Sequence, residues 1–227
     1  MQLKPQSKII RVKMAMRTFK SYLTEGIVSD TRQATELLVD SIYSKYVDNY
    51  STNDIQCVGW MDGTDNSLIR FDKIYECGIG DDDSILDVGC GVAHLHTYLK
   101  NQGWTGKYLG IDPNKKAIDN IDEEIKAVHC TIEDLGKETK WDWVIANGVF
   151  NLGLKEEHTF WIIENMISHA NKGIIFNMLR KPYEDEKYEA YNPMLVHYRL
   201  QDYSPRKLEV VERYMDNNSE FTIYFYL

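Results

Sequence analysis

The sequence predicts an α/β domain built on a mostly parallel sheet, with a helical segment ahead of it. Three observations predict it. Beyond Asp83, short apolar runs of strand length alternate with amphipathic helical stretches, the pattern of parallel strands joined by right-handed crossovers. Two apolar runs near the end, Leu208–Arg213 and Phe221–Leu227, have no helix between them and so should pair as an antiparallel hairpin at the sheet edge. The length of 227 residues, 43% of them hydrophobic, suits one substantial core with an appendage better than two full domains.

Taken in order, residues 1–10 offer little pattern. A cap signal at Ser29-Asp30 precedes Ala34, Leu37, Leu38, Ile42 and Tyr46 at helical spacing. Residues 51–65, rich in Ser, Asn, Asp and Gly, read as an exposed connection. A second helix covers about 66–77, with Leu68, Phe71, Ile74 and Tyr75 on one side. Strands follow at Ile85–Val88, Lys107–Ile111, Ala127–Cys130, Trp143–Ala146 and Ile174–Met178. Helices lie near 94–101, 113–121 and 155–170, the last with Phe160, Ile163, Ile167 and Ala170 on one stripe. The change of pattern near residue 80 divides the chain into a helical extension, 1–80, and an α/β domain, 81–227.

Charge narrows the partners. With 35 acidic and 26 basic side chains the formal net charge is −9, which opposes approach to a polyanion such as nucleic acid. The thin basic cluster of Lys4, Lys8, Arg11, Lys13, Arg17 and Lys20 reads as a solvated helix face. Cys57, Cys77, Cys90 and Cys130 show no CxxC pair or histidine spacing of a zinc site. No metal is expected, and a reducing, cytoplasmic compartment is. The first 25 residues lack the apolar core of a signal peptide, and no apolar run reaches membrane-spanning length, so no membrane partner is expected.

In a sheet of this kind ligands bind beyond the carboxyl ends of the strands, where the winding reverses. The loops to inspect therefore follow Val88, Ile111, Cys130 and Ala146. The first reads Leu86-Asp87-Val88-Gly89-Cys90-Gly91. Its glycines allow close approach to the main chain, although a strand-to-helix turn alone often uses glycine. The second, Gly110-Ile111-Asp112-Pro113, ends an apolar strand with a carboxylate where a ribose diol can be gripped. Asp112 also suits a helix N-cap, with Pro113 at the first helical position. A dinucleotide site needs a third glycine where this chain has His94. Asp87 would repel a pyrophosphate yet attract an ammonium, which disfavours nicotinamide and flavin cofactors.

These two segments, LDVGCG at 86–91 and GIDP at 110–113, resemble motifs I and II of the class I S-adenosylmethionine-dependent methyltransferases. The likeness runs from Trp60 to the end and implies a Rossmann-like, seven-stranded sheet with its last strand antiparallel and helices on both faces. It implies that Gly89, Cys90 and Gly91 lie along the cofactor's sugar and methionine portion, and Asp87 near its amino group, through water. Asp112, with Pro113 beside it, would take the ribose hydroxyls. The loop holding adenine would contain Thr131 and Ile132, with the adenine amino group on Thr131 or Glu133. Asn147 and Gly148 match the motif facing the reactive methyl.

A branch of small bacterial and phage members with Gly-Trp and Arg-Phe patterns is similar to Gly59-Trp60 and Arg70-Phe71. That likeness implies an Arg70 contact to the cofactor carboxylate; a surface helix arginine is the other reading. One departure is Ala93, where the family usually has glycine.

The resemblance implies methyl transfer from S-adenosyl-L-methionine, leaving S-adenosyl-L-homocysteine. Because the sulfonium already carries its charge, alignment and water exclusion suffice, and no catalytic residue is singled out. The acceptor is expected to be a small molecule or a protein side chain. Asn147-Gly148-Val149-Phe150 lacks the prolines of amino-methylating DNA enzymes, and no cysteine follows Cys130 to serve cytosine-C5 chemistry. His94 and His96 read as packing residues before general bases. Tyr183, Tyr188, Tyr191, Tyr198 and Tyr203, with His197, read as a sheet-edge cover before a substrate lid. Ala93 supports the alternative of a non-catalytic module that kept the fold and the cofactor. Oligomeric state has no signature.

Overall fold

The computed structural model describes residues 37, 39, 40, 42–61, 64–151, 156–181, 188–215 and 218–227. Asp40–Leu227 form one compact unit, whose architecture is given below. The basic cluster from Lys4 to Lys20, the Ser29-Asp30 cap signal, Ala34, Leu38 and Tyr183 lie outside the described residues. Leu37 is helical and exposed.

Helix α1 (42–49) carries Ile42 and Tyr46 half-buried. The segment after it differs from the exposed connection its polarity predicts. A 3-10 turn at Ile55–Val58 buries Ile55 and Cys57 while Ser51, Asn53 and Asp54 stay in solvent. Helix α2 (Thr64–Tyr75) starts and ends two residues earlier than its periodicity implied. Leu68 is 43% exposed, and its expected place in the buried stripe goes to Ser67, with Arg70, Phe71 and Ile74. Two polar side chains thus sit on the inner face. For Arg70 the reason is a carboxylate partner 150 residues away, which no periodicity reports.

The sheet contains β1 (Ile85–Val88), β2 (Tyr108–Asp112), β3 (Ala127–His129), β4 (Trp141–Ala146), β5 (Ala170–Arg180), β6 (Ala190–Tyr191), β7 (Lys207–Glu212) and β8 (Glu220–Tyr226). Seven strands follow the order β3-β2-β1-β4-β5-β8-β7, and the two-residue β6 adds onto the end of β5. β8 runs antiparallel to both neighbours, while β1 to β5 are parallel. The terminal hairpin and the mostly parallel sheet are as the sequence predicts. β4 begins two residues earlier than expected, and β5 extends well beyond Ile174–Met178. Ile174, Ile175, Phe176 and Met178 are all buried, so this central strand is covered on both faces.

Helices α3 (His94–Asn101), α4 (Lys115–Asp119), α5 (Glu156–His169) and α6 (Pro193–Leu200) are the remaining α-helices among the described residues. α3 turns Leu95, Tyr98 and Leu99 inward at the i, i+3, i+4 spacing of one helix face. They pack with Phe71 and Ile74 of α2 against Ile85, Ile145 and Ile175. α5 buries Phe160, Ile163 and Met166, and Ile167 is only half-buried. The winding reverses between β1 and β4. Val88 is level with Ile111 on one side and Ala146 on the other, and Asp112 with His129. Four loops therefore leave the sheet at one edge.

Candidate functional site

The first two loops are stitched together by the backbone. Gly89 and Cys90 both donate their N–H to the Ile111 carbonyl, at 2.8 and 3.1 Å. Gly91 donates to Oδ2 of Asp112 at 2.8 Å, and Asn114 donates its N–H to Oδ1 at 2.7 Å. Each Asp112 oxygen thus accepts one backbone bond and keeps a further lone pair. Burial pushes the Asp112 carboxyl above its ordinary range, opposed by those two donors and by His129. The helix-cap reading of Asp112 is corrected: Asn114 caps α4, its side chain accepting from the Ala117 N–H. Pro113 accordingly precedes the helix, and its carbonyl meets Nε2 of His129 at 3.0 Å.

The turn after β1 leaves no room for larger residues. A Cβ at Gly89 would lie 2.5 Å from Val149, and one at Gly91, where φ is +55°, 2.6 Å from Val58. The Cys90 thiol packs against Gly110 and is buried, which pushes it up. Ala93 holds a left-handed conformation (φ +64°, ψ +33°), the backbone a glycine would take there. Asp87 is 2% exposed, and the Tyr108 hydroxyl donates to it at 2.7 Å. Burial pushes its carboxyl up to about 7, against that donation and helped by the neighbouring Asp112 charge.

The third loop folds as a capped 3-10 turn, Ile132–Asp134. Thr131 donates its N–H and its hydroxyl to Asp134, at 3.0 and 3.1 Å, and Ile132 is buried. Between them Glu133 carries a buried Oε2 with no hydrogen-bond partner among the described residues. A buried acceptor in that state favours an N–H donor brought by a ligand.

The fourth loop hangs from the neighbouring strand. Oδ1 of Asn177 accepts the Gly148 N–H at 2.6 Å, and its Nδ2 donates to the Asn147 side chain at 2.9 Å. The Trp60 indole lies over Gly148, with Nε1 3.0 Å from where a Cβ would stand. Arg70 is 8% exposed, so the surface-arginine reading is corrected. Its Nε and Nη2 grip Glu220 at 2.9 and 2.5 Å, and its guanidinium lies 4.6 Å from the Trp60 ring centre.

Gly89, Cys90, Gly91 and Asp112 thus form one bonded group through Ile111, with Asp87 on β1 held separately by Tyr108 and with Pro113, Thr131 and Ile132 on the adjoining strand ends. Arg70 joins the Asn147–Gly148 end through Glu220 and Asn177. Sequence reasoning missed Asn177, Glu220 and Asn114. The signal for Asn177 is one amide inside an apolar strand run; Glu220 has no local signal.

His94 donates through Nε2 to the Thr52 carbonyl at 2.8 Å, and His96 stacks at a tilt on Tyr108. Burial lowers both imidazoles, as for packing residues. Among the tyrosines, Tyr191 meets the Thr159 hydroxyl and Tyr203 donates to Glu164, both on α5, while Tyr188 and Tyr198 are exposed. Among the described residues no three His, Cys, Asp or Glu side chains are placed to hold a metal, and no helix is long and apolar enough to cross a membrane.

Residues 85–173 match the methyltransferase domain family. A candidate methyltransferase of Mycobacterium tuberculosis is 27% identical over 106 residues, covering 42% of this chain and 63% of that relative's length. Among solved structures, the 1,6-didemethyltoxoflavin-N1-methyltransferase of Burkholderia thailandensis has a TM-score of 0.59 at 15% identity, covering 86% of this chain and 88% of its own. The magnesium protoporphyrin IX methyltransferase of Synechocystis PCC 6803, with bound S-adenosylmethionine, has a TM-score of 0.52 at 16% identity over 71% and 76%. The DhpI–SAM–HEP complex reaches 0.61 at 11% identity over 88% and 98%. At these identities the structures speak for the fold.

Proposed function

We propose that this chain, whose residues 85–173 match the methyltransferase domain family, is a class I methyltransferase that binds S-adenosyl-L-methionine across these four loops and transfers the methyl group to a small molecule or protein side chain. The observation that carries this reading is the doubly supported Asp112 carboxylate. Backbone N–H groups from both loops hold it in place, and each oxygen keeps a lone pair for one hydroxyl of a ribose diol. The orphaned Glu133 oxygen fits an adenine amino group, and it suits that role better than the Thr131 hydroxyl, which is given to Asp134. On this reading Ile132 packs along the base.

The main chain of Gly89, Cys90 and Gly91 passes beside the sugar and methionine portion, with Pro113 flanking the ribose. Asp87, titrating near neutrality, faces the ammonium. Arg70 serves the methionine carboxylate. When bound, the cofactor supplies a methyl already activated by the sulfonium charge. The chain's own residues align the acceptor and exclude water. Asn147 and Gly148 line the reacting end, and Trp60 walls it.

Within the compact unit, the segment 40–80 walls the site, with Val58 and Trp60 as the contacts that reach the loops. Two of the similar structures are enzymes named for small molecules, a magnesium protoporphyrin and a didemethyltoxoflavin, and we extend the small-molecule class to this chain. The net charge of −9 opposes a nucleic-acid acceptor. A cytoplasmic location belongs to the same proposal, supported by four cysteines without a disulfide among the described residues. Ala93 does not favour a non-catalytic module, because it follows the glycine path.

A thermal-shift series tests the cofactor. S-adenosylmethionine and S-adenosylhomocysteine should raise the melting temperature while NADH and NADPH leave it unchanged. Radiolabelled methyl transfer into cell extract then tests catalysis: binding without any labelled acceptor would favour the module.

A further inference from the structure

Asn177 sits where the fold does not need it. It is flanked by Ile174, Ile175, Phe176, Met178 and Leu179 in a stretch of β5 that is buried throughout, and is itself 5% exposed. An apolar residue would complete that strand without the cost of burying an amide. Its side chain is instead fully used, and mostly outside the strand. Oδ1 accepts the Gly148 N–H at 2.6 Å, while Nδ2 donates to Asn147 at 2.9 Å and to Oε2 of Glu220 at 3.4 Å. Glu220, at the start of β8, holds Arg70 with the same carboxylate, and Arg70 lies under Trp60. One buried polar chain therefore connects the C-terminal hairpin to the fourth loop and to its aromatic wall.

We infer that Asn177 and Glu220 are positioning residues that fix the Asn147–Gly148 loop and Arg70 at the methionine end of the cofactor. This rests on the cofactor reading above. The donor pattern is directional: an amide at 177 can serve both an N–H and two acceptors, whereas a carboxylate there cannot donate and would face Glu220 with like charge. A glutamine at 220 likewise replaces one acceptor of the Arg70 guanidinium by a donor and removes the charge that holds it.

The experiment is calorimetric titration of the full chain with S-adenosylmethionine and, separately, with adenosine, which lacks the methionine portion. Asn177→Asp should weaken S-adenosylmethionine by about tenfold or more while adenosine changes by less than about twofold. Glu220→Gln, which turns an N–H₂ group toward the Arg70 guanidinium, should show the same split between the two ligands. Equal weakening of both ligands, or no change in either, overturns the inference while leaving the cofactor reading intact. An unaltered chain that binds neither ligand overturns both. Should Asn177→Asp fail to fold, Asn147→Ala cuts the same contact at a half-buried loop position. It must show the same split between the two ligands, and equal effects there overturn the inference.

Discussion

Replacing Asp112 by asparagine changes one heavy atom at the junction of the first two loops. The carboxylate accepts from Gly91 through one oxygen and from Asn114 through the other, at 2.8 and 2.7 Å. An asparagine keeps one acceptor and turns an N–H₂ group toward the remaining backbone donor. Leaving that buried N–H unsatisfied costs about 1–3 kcal/mol of stability, offset in part because the carboxylate's own burial is unfavourable. The ligand loses more selectively. Of two charge-assisted bonds to a ribose diol one disappears and the other becomes neutral, a loss of about 1.5–3 kcal/mol, or about 10- to 150-fold in Kd. Titration calorimetry with S-adenosylhomocysteine at pH 8 reads this directly, with a cooperative thermal transition as the control for folding. A folded Asp112→Asn variant whose Kd stays within about threefold would refute the assignment of the carboxylate to the sugar.

Three further tests follow from the same geometry. Asp87 titrates near 7 when folded and near its ordinary 3.8 when unfolded, so the native state binds the extra proton in between. Stability should fall as pH rises across that window, whereas affinity for the ammonium-bearing cofactor should rise through pH 7; Asp87→Asn should flatten both curves in melts and titrations. Gly91→Ala combines about 1–2 kcal/mol of left-handed strain with a Cβ 2.6 Å from Val58, and adding Val58→Ala should recover the steric part in a denaturant double-mutant cycle. Additivity of the two changes would contradict their contact. Ala93→Gly relieves strain of about 1–2 kcal/mol but loses a buried methyl worth about 0.8 and loosens the unfolded chain by about 0.4–1, so its stability should change by less than about 1 kcal/mol. Ala93→Val, branched at the same backbone angles, should destabilise clearly in the same denaturant series.

Strands, crossover helices and the four loop positions were legible in the sequence because each depends on short-range pattern. Ile85–Val88 is an apolar run ended by glycine, Tyr108–Asp112 is one ended by a carboxylate, and α3 shows its inner face at helical spacing. Right-handed parallel crossovers then bring such loop ends to one edge, so the strand pattern alone brings Gly91 and Asp112, 21 residues apart, together. Competition between near neighbours was not legible. Asp112 and Asn114 are equally good caps on paper, and the backbone path decided for Asn114. Nor did composition reveal that Ile55 and Cys57 turn inward from a polar segment.

The sequence by itself determined the layered sheet, the bend of Gly89 to Gly91 and the acid of Asp112, since local periodicity and glycine content act within a few residues of each other. Only the tertiary structure decided that Arg70 is buried against Glu220, that Asn177 supports Gly148, and that Leu68 faces solvent. A buried charge or amide is stable only with its partner in place, and those partners lie 150 and 29 residues away, beyond any period that a sequence can display.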